Sequence, residues 1–292
     1  MGQNRSMTAR TAPITAIAAV IAIFSVVATA SAMPIAELAQ QTHIHGLAVD
    51  PADSDRLLIA THYGLYRAGP DGDAQLISPQ QDFMGFTVHP DDPDTLYASG
   101  HPMGGGNLGF IVSTDRGATW TRLSPGAEGT VDFHQLAVSA ADPKTIYGHH
   151  GGLQVSRDGG KTWAIVGSAP EKLIDLAASA KSAEVLYAAT EAGLFISADA
   201  GRTWEPLLDG PPVTLVEVTA HGDLYAFVYG QGLMKAREGT TNFVLLGYDV
   251  PDGFLLHLAV HPADSKRLFA ADRHGRVVTS PDGGGSWSLF GG

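Results

Sequence analysis

Four times along the chain one short pattern returns: STDRGATW ending at Trp120, SRDGGKTW ending at Trp163, SADAGRTW ending at Trp204 and SPDGGGSW ending at Trp287. Each copy carries a carboxylate (Asp115, Asp158, Asp199, Asp282) able to accept backbone N–H groups across a tight turn. Two residues on stands a glycine (Gly117, Gly160, Gly201, Gly284) suited to positive φ, and three after that a tryptophan that can anchor the turn. Such a turn supports itself. It fixes a hairpin wherever it stands, so the intervening chain has to return at a near-constant period.

A second series confirms that period. HIHGLAV, DFMGFTV, DFHQLAV, LIDLAA, TLVEV and LLHLAV end at Val49, Val88, Val138, Ala178, Val218 and Val260. The repeat is about 40 residues, the length of a four-stranded blade, and the one longer interval holds the insertion HPMGGGNL, His101 to Leu108. Second strands follow in LLIAT, TLYAS, TIYGH, VLYAAT, DLYAF and RLFAA, whose β-branched and aromatic content suits strands. Third strands open on glycine, as in GLYRA, GLQVS, GLFIS and GLMKA, and the fourth begins near the box tryptophan. Six units result, at about 43–78, 82–125, 131–170, 171–210, 211–248 and 252–290. The first and fifth lack the full box; in the fifth, Phe243 replaces the tryptophan.

These box residues are those of the Asp-box, or BNR repeat, and the chain resembles the Asp-box β-propellers: sialidases, sortilin-type receptors and photosystem assembly factors. The expectation is an all-β, six-bladed β-propeller of four-stranded antiparallel blades, spanning residues 43–292 as one domain behind a lead segment at 33–42. The only helical signal is a turn at Glu37 to Gln41. Ring closure is expected from apolar packing between first and last blades, unless Pro34 to Leu38 adds an outer strand. The resemblance does not single out an activity, because boxes of this kind recur in enzymes and non-enzymes.

Residues 1–32 read as a signal peptide: Arg5 and Arg10, an apolar run from Ile14 to about Ala28, then a small-residue cleavage site at Ala30-Ser31-Ala32. The run is short for a membrane span, so no span is expected after cleavage, and the location is periplasmic or secreted. The chain has no cysteine, so disulfides contribute nothing even in an oxidising compartment. Its formal charge is -12. That argues against nucleic acid and anionic lipid as partners and leaves a small ligand, a metal ion or a protein.

In a propeller, the loops that lead into the innermost strands share one face with the loops joining strands two and three. This upper face surrounds the channel mouth, and the boxes lie at the opposite rim as scaffold. Of the 12 histidines, His89, His221 and His261 fall in lower turns. The other nine, His43, His45, His62, His101, His134, His149, His150, His257 and His274, project toward the upper half. Four residues before the anchor position stand His45, Met84 and His134 in the first three blades, against Ile174, Thr214 and Leu256 in the rest. The upper loops of those same blades carry His62, His101 with Met103, and His149 with His150. Imidazole and thioether donors drawn from three consecutive blades suit copper or zinc, with the methionines leaning toward Cu(I). Asp82 and Asp132 are placed as partners that orient a ligating imidazole.

A sialidase is not expected, since no arginine triad can be assembled: Arg116, Arg157 and Arg202 lie in boxes, Arg56 and Arg267 in lower turns, and Arg122 and Arg237 on outer strands, leaving Arg273 and Arg276 near the upper face. Another glycoside hydrolase needs only two carboxylates, for which Asp82, Asp132, Asp175, Glu191 and Glu217 are the candidates, with no catalytic residue assigned among them. A third class is a protein-interaction scaffold, using Tyr63, Phe83, Phe133, Tyr229 and Phe254 near the upper face.

Overall fold

The computed structural model describes residues 1–2, 32–247, 250 and 253–292; the expected signal peptide lies almost wholly outside them. Six antiparallel sheets follow one another in sequence, each built from consecutive strands. The innermost strands are Ile44–Val49, Asp82–Val88, Gln135–Val138, Leu173–Ala178, Val213–Val218 and Leu255–Val260, and they pack side by side around a central channel. The molecule is a six-bladed β-propeller. Second strands such as Leu57–Thr61 and Leu186–Thr190 are buried along their whole length, as expected for strands covered by blades on both faces.

The box turns close as their residues dictate. In the third blade the Ser156 hydroxyl donates to Asp158 (2.8 Å), while Asp158 accepts the backbone N–H and the hydroxyl of Thr162 (2.9 and 2.7 Å). The Trp163 indole N–H donates to the Gly160 carbonyl at 3.1 Å, and its ring packs against Phe110 and Phe133 at the junction with the second blade. Gly160 sits at φ +87, and a β-carbon there would fall 2.0 Å from the Phe110 ring. The hydrogen bonds from Thr162 hold the Asp158 carboxyl down at about 2. Blades two, four and six repeat the arrangement around Asp115, Asp199 and Asp282. The lower-turn histidines His89 and His261 accept backbone N–H groups from Asp91 and Ala263, the turn-capping role their repeat position implies.

Closure differs from the simplest expectation. Only Met33–Pro34 adds a strand, as a fifth, outermost member of the first blade, with Met33 opposite Ala74. The chain then turns into a helix, Ile35–Gln41, which begins two residues earlier than the sequence suggests, because Ile35 and Leu38 find an apolar slot between the first and last blades. That slot also holds Phe269, Val277 and Phe290. Two polar links cross the same seam: the His257 ring donates to the Ile44 carbonyl (3.1 Å), and Arg267 pairs with Asp55 (2.6 Å). Lead and tail also converge, since the Ile35 N–H donates to the Gly72 carbonyl and a β-carbon on Gly72 would meet the Gly291 carbonyl at 2.5 Å.

Candidate metal centre

Successive strand residues point to opposite faces. In Asp132-Phe133-His134, the segment that leads into the Gln135–Val138 strand, the phenyl ring is fully buried, while the acid and the imidazole meet each other. Asp82-Phe83-Met84 and His43-Ile44-His45 repeat the pattern in the neighbouring blades. Loops then bring further imidazoles over these strand ends: His62 follows Thr61 in the first blade, and His101 ends the second strand of the second blade.

The upper mouth holds two imidazole–carboxylate groups. In one, His45, His62 and Asp82 place a donor atom each within 4.8 Å of one another; in the other, His101, Asp132 and His134 do the same. His62 Nδ1 lies 3.1 Å from Asp82 Oδ2, and His45 Nε2 lies 3.1 Å from His62 Nε2. Asp132 Oδ2 is 2.9 Å from His101 Nε2 and 2.7 Å from His134 Nε2. Sequence reasoning gathered these imidazoles around one point; the structure sorts them into two neighbouring trios. It also brings Asp82 and Asp132 directly against the ring nitrogens.

Burial and charge tune the groups differently. His45 is pushed down to about 4, first by burial and then by the nearby His62, with Asp82 opposing. It stays neutral through the physiological range, the form in which imidazole binds metal. His101 is raised, chiefly because its Nδ1–H donates to the Gly106 carbonyl (2.8 Å), with Asp132 and Asp82 adding to the effect. That bond fixes the ring's orientation and leaves Nε2 directed at Asp132, the arrangement by which a carbonyl orients a ligating histidine. Asp82 Oδ1 and Asp132 Oδ1 are both buried without a hydrogen-bond partner. A buried carboxylate oxygen left so is costly unless a cation or donor meets it.

The remaining candidates lie around this core. His150 uses Nδ1 to donate to the Asp132 carbonyl (2.8 Å), holding the segment that carries the acid just before the Gln135–Val138 strand. His149 is lowered by burial and by the adjacent His150. Met84 sits opposite Ser99 in the strand register, while Met103 is 64% exposed on the inserted loop. His257 faces the channel with Nε2 committed to Ile44. Gly100, at φ +123, is required where the second strand passes Asp82, since a β-carbon would fall 2.1 Å from the Asp82 carbonyl.

Below the trios, a channel cavity of about 300 Å³ is lined by His45, His134, Asp175, Glu217 and His257. A second, of about 500 Å³, opens toward the lower rim, and Glu217 borders both. Burial pushes Asp175 up to about 7, although its oxygens accept the N–H groups of Leu176 and Val216 (both 2.9 Å). Burial, then the Asp175 charge, pushes Glu217 up to about 8. Glu191 is exposed and paired with Lys172. Of the aromatic candidates, Phe83 and Phe133 are core residues, while Tyr63 and Tyr229 are exposed.

The BNR/Asp-box repeat family matches residues 154–164, the box of the third blade. The chain is an Asp-box β-propeller. Its sequence is 28% identical over 200 residues to an oligoxyloglucan-reducing end-specific xyloglucanase of Emericella nidulans, covering 59% of this chain and 24% of the relative. The match thus spans about a quarter of that longer protein. Among solved structures, the propeller is similar to a GH74 enzyme of Niastella koreensis (TM-score 0.63, 16% identity, 85% of this chain and 45% of the other). A GH74 xyloglucanase of Xanthomonas campestris is also similar (TM-score 0.56, 22% identity, 85% and 45%). Glycoside hydrolases of the xyloglucanase type are therefore among its relatives, and at these identities the structural likeness speaks for the fold. Among the described residues no helix is long and apolar enough to cross a membrane.

Proposed function

We propose that this propeller is an exported protein that binds a divalent transition metal at its upper channel mouth, through His45, His62 and Asp82 and through His101, Asp132 and His134. The observation that carries this reading is the pair of orphaned, buried carboxylate oxygens, each inside a cluster of two imidazoles and one acid. Imidazole with carboxylate suits Zn(II) or Cu(II), and three protein donors with one open position match the usual pattern of a reactive or exchangeable site. The thioethers that would draw Cu(I) are those of Met84, opposite Ser99, and of the exposed Met103. Untagged protein is expected to bind zinc or copper, measured by elemental analysis after dialysis, and the His45→Ala/His134→Ala double variant to lose it. Equal, negligible metal in both proteins would overturn the proposal.

A second reading is glycoside binding with hydrolysis, and the sequence relatives favour it over metal binding. Its strongest support in the site is a protonated carboxyl near neutral pH, the requirement for a general acid, which Asp175 and Glu217 meet on the channel wall. Asp82 and Asp132 are instead engaged with histidines. Incubation with xyloglucan oligosaccharides distinguishes the readings: release of reducing ends that Glu217→Gln abolishes and chelator leaves intact supports hydrolysis. No release at any pH from 4 to 8 sets it aside.

A further inference from the structure

We infer that the two trios work as one two-ion centre whose open positions take an oxyanion ligand of phosphate or carboxylate chemistry. This rests on the metal reading above and goes beyond it.

The two trios are joined through the second blade. Asp82 of the first trio and His101 of the second are direct partners across the Asp82–Val88 and Leu96–His101 strands. Opposed residues of an antiparallel pair hold their Cα atoms about 5 Å apart. The centre is thus three blades wide: His45 and His62 from the first, Asp82 and His101 from the second, Asp132 and His134 from the third. The paired strands of the second blade therefore carry one donor of each trio.

Charge then selects the ligand. Two divalent ions held by two carboxylates and four neutral imidazoles leave a local excess of two positive charges, on a chain whose formal charge is -12. Each trio supplies three protein donors, so each ion keeps an open position. His45 and His134 border the channel cavity of about 300 Å³, which gives those positions room to face a small molecule. No thiolate is present to satisfy the ions instead. An oxygen anion spanning both ions neutralises the excess and completes both coordination shells, the role such ligands fill in paired-metal sites.

The test uses the full mature chain without a tag, titrated with Co(II), whose visible absorption reports coordination, in the presence and absence of inorganic phosphate. The expected result is two Co(II) per chain, a phosphate-dependent change in the absorption, and Co(II) binding about tenfold tighter with phosphate present. Asp82→Asn and Asp132→Asn should each bind a single Co(II) and lose the phosphate response. His134→Ala, at an exposed side chain, replaces Asp132→Asn should that variant fail to fold. Absence of Co(II) binding by the unaltered chain refutes the metal reading itself. Two ions without a phosphate effect, or single-site variants that keep the full effect, refute the coupled centre while leaving metal binding standing.

Discussion

Glu217→Gln offers a direct probe of the channel wall. Glu217 is half-buried there, bordering both channel cavities, and its carboxyl is raised to about 8 from an ordinary value of 4.5. An acid raised in this way holds a proton in the folded chain that the unfolded chain releases. Its contribution to stability is therefore full below about pH 4.5 and is lost as pH climbs to about 8. At about 1.4 kcal/mol per pH unit the interval corresponds to roughly 5 kcal/mol for a dry wall, which channel water reduces to about 2 kcal/mol. His45 acts in the opposite sense: lowered to about 4, it makes stability rise between there and its ordinary 6.5, equally in both proteins. Comparing variant with unaltered chain cancels that contribution. In urea unfolding the two proteins should be nearly equally stable at pH 5, and the glutamine variant about 2 kcal/mol more stable at pH 8.5. A difference that stays constant across this range would show that Glu217 ionises freely, and the reasoning about the wall would fail.

Two further substitutions test the scaffold. Gly160→Ala combines a left-handed backbone with a clash against the fully buried Phe110, and should cost at least about 2 kcal/mol in chemical denaturation while leaving metal content unchanged. Leu38→Ala empties the seam between first and last blades and should cost about 3 kcal/mol, with amide exchange accelerating first in Ile44–Val49.

The blades were legible in the sequence because their signals are local. Serine, aspartate, glycine, threonine and tryptophan at fixed offsets make nearly every hydrogen bond of the box turn among themselves, so distant contacts are not needed to recognise it. The donor positions were legible for a related reason, since alternation along the extended segment that leads into the Gln135–Val138 strand puts Asp132 and His134 on one side of Phe133. Their grouping was not. Whether His101 closes on Asp132 or on Asp82 depends on the rotation between blades and on the path of the inserted loop, neither of which leaves a mark in a single sequence. The same alternation could have shown that Asp132 reaches the ring nitrogens itself. The seam helix was seen only as a turn at Glu37 to Gln41, because it is seven residues long with two buried side chains, and its start at Ile35 is decided by the slot it enters.

The meeting of lead and tail beside Gly72 has a topological consequence. With the Ile35 amide and the Gly291 carbonyl both against one residue, the described chain resembles a nicked circle more than a line. A short linker joining Gly292 to Met33 would let the protein be reopened at any exposed rim turn, with the trios and the channel carried over intact.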